Sequence, residues 1–413
     1  MRAIPPQTEA SIDEARARIK HTDNVTVFAP RLLPWSETFV LAQMTAMRRW
    51  HPTLTGERPV PKGLPLDSID HFTFCPSPLR SRRAWYTFCK RIGIAHPPTL
   101  AALRHLGSSL LHVHFATAAV DYWPLLRALN QPVLVTMHGF DIQIRPDWWA
   151  AGKGGFWRRN YPKQLRKLAR QPNVSFIAVS NAIRQKAILM GIPPDKITVR
   201  HIGVDTDIFV PGPLPITQRP RRVIFAARLV EKKGASYLID AFRAASAVFK
   251  DAELIIAGDG ELLERLQRQA QGIAGIHFVG RITPMMLREH LNSARVVCCP
   301  SVTAENGDAE GLPTILMEAQ ASGVPVITSS PGTDGEAVIH GVTGWCFPER
   351  DVAALTGFLK HALADDKTCD VMGKRARQHA VKDFSLSACT AQLERDFDHF
   401  ASHRTGESNH VRS

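Results

Sequence analysis

Glu310 and Glu318 stand eight positions apart in the segment Glu310-Gly311-Leu312-Pro313-Thr314-Ile315-Leu316-Met317-Glu318. Pro313 suits the first helical position, where its missing N–H is no loss, and Gly323 suits the residue just past a helix end. The segment therefore reads as a loop carrying Glu310, a helix beginning near Leu312, and Glu318 almost two turns in. At 1.5 Å per residue the two carboxylates would lie roughly 12 Å apart along the axis. The backbone N–H groups between them lack helical acceptors and make an anion site. Carboxylate, anion cradle, carboxylate suits a ligand with hydroxyls at both ends and phosphate between, and a nucleotide-sugar has that form. The same residues also suit a surface helix bearing a solvated glutamate. The neighbouring sequence favours the first reading. Val296-Val297-Cys298-Cys299 upstream and Val324-Pro325-Val326-Ile327-Thr328 downstream are strand patterns. Strand, loop, helix, strand is a βαβ unit, and ligands bind at the carboxyl ends of such strands.

Arg228 and Lys233 follow another apolar run, Val223–Phe225, in Ala226-Ala227-Arg228-Leu229-Val230-Glu231-Lys232-Lys233-Gly234. A planar guanidinium matches paired phosphate oxygens and an ammonium supplies a compact point charge. A solvated basic turn is the ordinary fate of such a run; its place after a strand favours phosphate binding. Gly258-Asp259-Gly260 also follows a strand, but Leu263 stands where a dinucleotide fingerprint needs its third glycine. These glycines read as a tight turn, and a nicotinamide cofactor is disfavoured.

The elements that must position these groups alternate along the chain. Its 413 residues, 44% hydrophobic, suffice for two or three domains. Apolar strands are expected at 24–29, 110–115, 132–137 and 174–179, with helices at 39–49 and 181–190 between them. A second series follows at 223–226, 253–257, 276–279, 296–299 and 324–328, with a helix at 235–249. Strands alternating with helices imply mostly parallel sheets covered on both faces, an α/β architecture of two Rossmann-like domains. Val210-Pro211-Gly212-Pro213-Leu214-Pro215 sustains neither helix nor central strand. The expected division is an N-terminal extension at 1–22, with a short helix over 11–20, and a first domain at 23–209. A linker at 210–221, a second domain at 222–385 and a disordered tail at 404–413 follow. A last helix near 386–403 would cross back onto the first domain, and a ligand cleft would lie between the domains.

Charge is uneven. Residues 1–210 carry 28 Lys+Arg against 14 Asp+Glu, whereas residues 211–413 carry 23 against 24, so the basic excess belongs to the first half. No apolar run approaches the ~20 residues of a spanning helix, and the N-terminus lacks the apolar core of a signal peptide. Seven cysteines without C-x-x-C spacing argue against zinc and a disulfide framework, and for a reducing cytoplasm.

Arg228, Lys233, Gly258-Asp259-Gly260, Phe278-Val279-Gly280 and Glu310…Glu318, followed by Ala319-Gln320-Ala321-Ser322-Gly323-Val324-Pro325-Val326, occur in an order that resembles the retaining glycosyltransferases of family four. The likeness covers roughly residues 222–363. Pro34-Trp35-Ser36-Glu37-Thr38-Phe39 resembles the Ser-Glu-Thr-Phe segment of its exopolysaccharide branch, which includes the colanic acid and amylovoran enzymes. His201-Ile202-Gly203-Val204-Asp205-Thr206 resembles the segment closing the first domain. The resemblance implies a GT-B fold, two facing Rossmann-like domains with a cleft between them, and a UDP- or GDP-sugar as donor substrate with no further cofactor required. It implies that Arg228 and Lys233 hold the donor diphosphate, that Glu318 binds ribose hydroxyls, and that Glu310 holds hydroxyls of the transferred sugar. It further implies phosphate contacts from the amides of Gly311 and Leu312, base contacts from the main chain near Arg281 and Ile282, and a sugar-positioning role for His138 in Met137-His138-Gly139-Phe140-Asp141. Many relatives place Phe before the glycine where this chain has Glu310-Gly311, which leaves sugar identity open.

Other first-half signals are weaker. Ser36 is a candidate N-cap with Glu37 in the first turn; capping explains the pair, and acceptor contact rests on the family likeness alone. His112, His114 and His138 imitate a metal trio, but no carboxylate or Cys spacing completes a site, and no metal is expected. The basic aromatic stretches 80–91 and 153–170 suit an anionic membrane headgroup layer. Nucleic acid would also accept them, but no reading module accompanies them, so no nucleic-acid partner is expected. The expected activity is retaining transfer of a hexose from a nucleotide-diphosphate donor to a lipid-linked glycan acceptor in exopolysaccharide or other cell-surface polysaccharide biosynthesis. The enzyme would be cytoplasmic and peripheral at the inner face of the membrane. The alternatives are a hydrolase or epimerase of nucleotide-sugars and a non-catalytic nucleotide-binding scaffold in a membrane assembly.

Overall fold

The computed structural model describes residues 23–29, 31–61, 63–73, 80–329 and 332–407. The expected extension at 1–22, its helix, and the tail beyond residue 407 lie outside the described residues. The strands of the first sheet are β1 (Asp23–Phe28), β2 (Trp50–Gly56), β3 (Asp70–Thr73), β4 (Leu110–His114), β5 (Val133–Met137), β6 (Val174–Ala178) and β7 (Ile197–Val199). Their order is β3-β2-β1-β4-β5-β6-β7. The second sheet contains β8 (Arg222–Ala226), β9 (Glu253–Ala257), β10 (Ile276–Gly280), β11 (Val296–Cys299), β12 (Val326–Thr328) and β13 (Gly344–Cys346), ordered β10-β9-β8-β11-β12-β13. All its pairings are parallel.

Each sheet thus runs outward from its first strand in one direction, then restarts on the other side. This is the doubly wound order, with a topological switch point where the direction reverses. In the second sheet it lies between β8 and β11, which pair at Val223–Val296 and Ile224–Val297. Val223, Ile224, Phe225 and all four residues of β11 are buried, as a parallel strand covered on both faces requires. Phe242, Leu238, Leu355 and Leu359 complete this core from neighbouring helices.

By contact density the described residues divide into two units, one holding those up to His114, Asp121–Val135 and those from Thr390 onward, the other Phe115–Val120 and Thr136–Cys389. In the first unit, Glu394 is 3% exposed, and its Oε1 accepts the backbone N–H groups of Arg48, Arg49 and Trp50 at 2.9, 2.7 and 3.0 Å. Trp50 Nε1 donates to Asp398 at 3.0 Å and the Trp50 ring meets Phe397 edge-on. Both partners lie on the helix Leu386–Glu407, which extends into the stretch expected to begin the disordered tail.

Two local expectations are corrected. The helix of the Glu310–Glu318 segment begins at Thr314, not near Leu312, and Pro313 is its cap with ψ 117°. A proline disfavours helical backbone in the residue before it, so Leu312 does not join the helix. Ser36 is not an N-cap: Trp35–Glu37 form a 3-10 turn after Pro34, and Glu37 precedes the helix Thr38–Ala46 without any side-chain cap bond. Gly323 does close its helix, with φ +69°, its N–H reaching Gln320 O and Val324 N–H reaching Ala319 O, both at 2.9 Å.

Candidate active site

Parallel strands deliver their carboxyl ends to one edge of a sheet. Four loops therefore leave the same edge of the second sheet: Arg228 to Gly234 after β8, Gly258 to Gly260 after β9, Arg281 and Ile282 after β10, and the loop to Pro313 after β11. The loops after β8 and β11 leave at the switch point and meet. Lys233 Nζ lies 3.0 Å from Glu310 Oε2. Lys232 Nζ lies 3.0 Å from Asp308 Oδ1 and 3.8 Å from Glu310 Oε1. Gly234 makes the approach possible: it sits at φ +68°, and a methyl there would fall 1.7 Å from the Pro300 carbonyl oxygen. Gly258 allows the next loop to pack likewise, 1.9 Å separating an added methyl from Ala227 O.

Glu310 is 8% exposed. Burial pushes its carboxyl up, but Lys233, Lys232 and Arg228 outweigh burial and hold it below the usual range. Burial likewise pushes the Lys233 ammonium down, and Glu310 more than reverses it. Both groups are ionised at neutral pH. Glu310 Oε1 is buried without a hydrogen-bond partner among the described residues, the Lys232 ammonium standing off at 3.8 Å. Arg228 is exposed, and its guanidinium makes no ion pair among the described residues.

Glu318 differs from Glu310. It is half-buried on the helix Thr314–Ala321, and no described protein group hydrogen-bonds its carboxylate. Burial raises its carboxyl to about 7, opposed only by Lys233. The amides of Gly311, Leu312 and Thr314 meet no carbonyl among the described residues, so the start of this helix keeps its anion-binding donors. Arg281 pairs with Asp259 at 3.1 Å, linking the loops after β9 and β10, and Ile282 follows it just before the Thr283 cap of the next helix.

His138 is brought against this corner. A methyl on Gly311 would lie 1.9 Å from His138 O, and one on Gly139 would lie 3.3 Å from Gly311 N, so the two backbones touch. Asp141, fully buried, holds that turn by accepting the N–H groups of Ala116, His138 and Gly139 at 2.7, 3.1 and 3.0 Å. Gln143 Nε2 donates to Glu310 O at 2.7 Å, and Ser180 Oγ donates to Gly311 O at 2.8 Å.

The structure therefore brings Lys233, Glu310, Gly311 and His138 together, with Arg228, Glu318 and Leu312 on the same loops and helix. Ser36 and Glu37 follow β1, at the switch point of the first sheet. Glu37 Oε2 is buried with no hydrogen-bond partner among the described residues, and burial, opposed by Arg31, raises its carboxyl to about 7; capping does not account for this residue. His112 and His114 are buried side by side on β4, and burial pushes His114 down to about 3. Sequence reasoning did not single out Lys232, Asp141, Gln143 or Ser180. Only Ser180 left a usable signal, a cap residue ahead of a helical pattern, and its Oγ does accept Ile183 N–H.

Comparison with known proteins identifies the family and the fold. The model for glycosyl transferases group 1 matches residues 210–379, and that for Glycosyltransferase Family 4 matches residues 53–208. A candidate colanic acid biosynthesis glycosyltransferase of Salmonella typhimurium is 31% identical over 286 residues, 68% of each chain. The amylovoran biosynthesis glycosyltransferase of Erwinia amylovora is 31% identical over 253 residues, 60% of each chain. The crystal structure of Anabaena HepE in complex with UDP superposes with TM-score 0.72 at 17% identity, covering 91% of this chain and all of that one. The fold is GT-B, a class of glycosyltransferase. The chain belongs to glycosyltransferase family four, within the branch that holds the colanic acid and amylovoran proteins.

Proposed function

We propose that the protein transfers a sugar from a nucleotide-diphosphate donor, UDP- or GDP-linked, to a lipid-linked glycan of an exopolysaccharide, with retention at the anomeric carbon. One observation carries the reading: at the switch point a buried Lys233–Glu310 pair converges with Arg228 and the amides of Gly311 and Leu312, which have no ion-pair or carbonyl partner among the described residues, with Glu318 one turn further along the helix. Arg228, Lys233 and the two amides would receive the diphosphate. Glu310 Oε1 would accept a sugar hydroxyl, Glu318 the ribose hydroxyls, and the backbone near Arg281 and Ile282 would meet the base. His138 would lie beside the sugar.

The chemistry asks for positioning and for neutralisation of the departing diphosphate. The bond between the anomeric carbon and phosphate oxygen breaks, a bond to the acceptor oxygen forms on the same face, and the acceptor proton passes to the leaving phosphate oxygen. Ser36 and Glu37 are assigned to the acceptor, Glu37 because its buried oxygen meets no donor among the described residues. Exposed Trp85 and Phe88, near Lys90 and Arg91, and exposed Phe156 and Trp157, near Arg158 and Arg159, support contact with an anionic membrane surface. No helix among the described residues is long and apolar enough to cross a membrane.

A panel of UDP- and GDP-sugars screened by thermal stabilisation tests the reading. A donor at a hundred times its Kd should stabilise by about 2.7 kcal/mol. A crystal soaked with UDP or GDP that lodges the nucleotide away from Arg228, Lys233 and Gly311 would overturn it.

A further inference from the structure

A trans peptide is planar, with its C=O and N–H pointing in opposite directions, and no described peptide is cis. Holding a carbonyl therefore aims the amide of the next residue. The two amides assigned above to the diphosphate, those of Gly311 and Leu312, belong to the peptides whose carbonyls are Glu310 O and Gly311 O. Both carbonyls are held by side chains from outside their own loop: Gln143 Nε2 at 2.7 Å and Ser180 Oγ at 2.8 Å. Lys232 Nζ approaches the preceding carbonyl, Ala309 O, at 3.4 Å, a weaker contact.

The donors are themselves fixed. Gln143 ends the short helix Phe140–Gln143, whose N–H groups at Ile142 and Gln143 both bond Gly139 O at 2.8 Å. Asp141 within it pins the turn through three backbone N–H groups, and its own carbonyl accepts the buried Tyr161 hydroxyl at 2.7 Å. Ser180 is fully buried and caps the helix Asn181–Leu189.

We propose that Gln143 and Ser180 are positioning residues that orient the Gly311 and Leu312 amides as an anion cradle for the donor diphosphate. The inference rests on the assignment of those amides to phosphate. An oriented donor stabilises developing charge without having to reorganise at the moment of reaction. With the Gln143 bond gone, the Gly311 amide is free to rotate away, and the loss falls on phosphates alone, not on base or ribose contacts.

The test compares nucleoside diphosphate with nucleoside monophosphate, using UDP with UMP and GDP with GMP, by calorimetry on the full chain. Wild type should favour the diphosphate of one pair. Gln143→Met, close in shape but without a donor, should lose about three- to tenfold of diphosphate affinity, the worth of one hydrogen bond, and leave monophosphate affinity within about twofold. For Ser180, Ser180→Ala removes both bond and cap, whereas Ser180→Thr keeps both and should restore the diphosphate preference. Melting temperatures of the unliganded variants identify general unfolding. If Gln143→Met and Ser180→Ala both keep the full wild-type preference, the positioning role is wrong. If wild type binds diphosphate and monophosphate equally, the phosphate assignment itself fails, and this inference fails with it.

Discussion

Glu318 makes a pH-dependent prediction that separates stability from ligand binding. Its carboxyl is held at about 7 in the folded chain, against an ordinary 4.5. Between those values the native state binds more protons than the unfolded state, so stability falls as pH rises from about 4.5 to about 7. At 1.36 kcal/mol per unit the full interval of about 2.5 units would be worth roughly 3 kcal/mol. Partial solvent access lowers this to about 1–2 kcal/mol. Glu318→Gln removes the titration while keeping the shape of the protonated acid. The variant should match wild type near pH 4.5 and gain on it steadily, reaching the full difference by pH 8. For a unit of this size that is roughly 2–8 °C in Tm. Scanning calorimetry of both proteins from pH 4.5 to 8.5, without nucleotide, reads it. Glu37 titrates in the same direction and window, but it is common to both proteins and cancels in their difference. Parallel Tm curves across that range would refute the buried-acid argument. With UDP or GDP present the order should reverse in one respect: the variant should be stabilised less, because a neutral amide would replace the charged group proposed to accept the ribose hydroxyls. Wild-type binding near pH 7 should also release a fraction of a proton, visible as a buffer-dependent binding enthalpy.

The other predictions concern single contacts. Lys233→Met should reduce transfer by about 10²–10³-fold and lower Tm, because Glu310 loses its nearest buried counter-charge. Adding Glu310→Gln to it should recover part of the Tm and none of the activity, and strictly additive Tm losses would contradict the pairing. Gly311→Ala should abolish transfer, since the added methyl would overlap His138 O; retained turnover would mean that the two backbones do not meet in the working enzyme. Glu394→Ala should destabilise by about 2–4 kcal/mol, leaving three backbone N–H groups without their acceptor, and a chemical-denaturation midpoint equal to wild type would exclude that. Phe156→Ala with Trp157→Ala should weaken sedimentation with anionic vesicles and spare nucleotide binding; unchanged sedimentation would remove this turn from the membrane assignment.

Much of the second sheet was readable because its strands are short apolar runs ended by turn residues. Val296–Cys299 and Glu253–Ala257 have the expected limits. β2 was not read, since Trp50-His51-Pro52-Thr53-Leu54-Thr55-Gly56 lacks alternation and carries a proline, and its pairing with β1 overrides that local composition. Arg228, Lys233, Glu310 and Glu318 were accessible through type and spacing. Lys232 could not be told from a solvated neighbour of Lys233, because only the fold shows that it turns toward Asp308 and Glu310. Gln143 and Ser180 act on backbone carbonyls more than a hundred positions away, and no local pattern encodes such a contact. Glu37 was legible as a helix-start residue, but its isolation in a buried setting depends on tertiary packing.

The Glu394 staple bears on how the chain is made. Glu394 is synthesised 344 to 346 positions after the three amides it receives. At ~5–20 residues per second a ribosome needs roughly 20–70 s to cover that distance. Throughout this interval the leading end of β2 emerges without its acceptor, and the sheet containing β1 to β4 waits for a helix still untranslated. A chain cut short before Glu394 lacks the acceptor of those three amides, and one cut short before Asp398 also lacks the partner of the Trp50 indole.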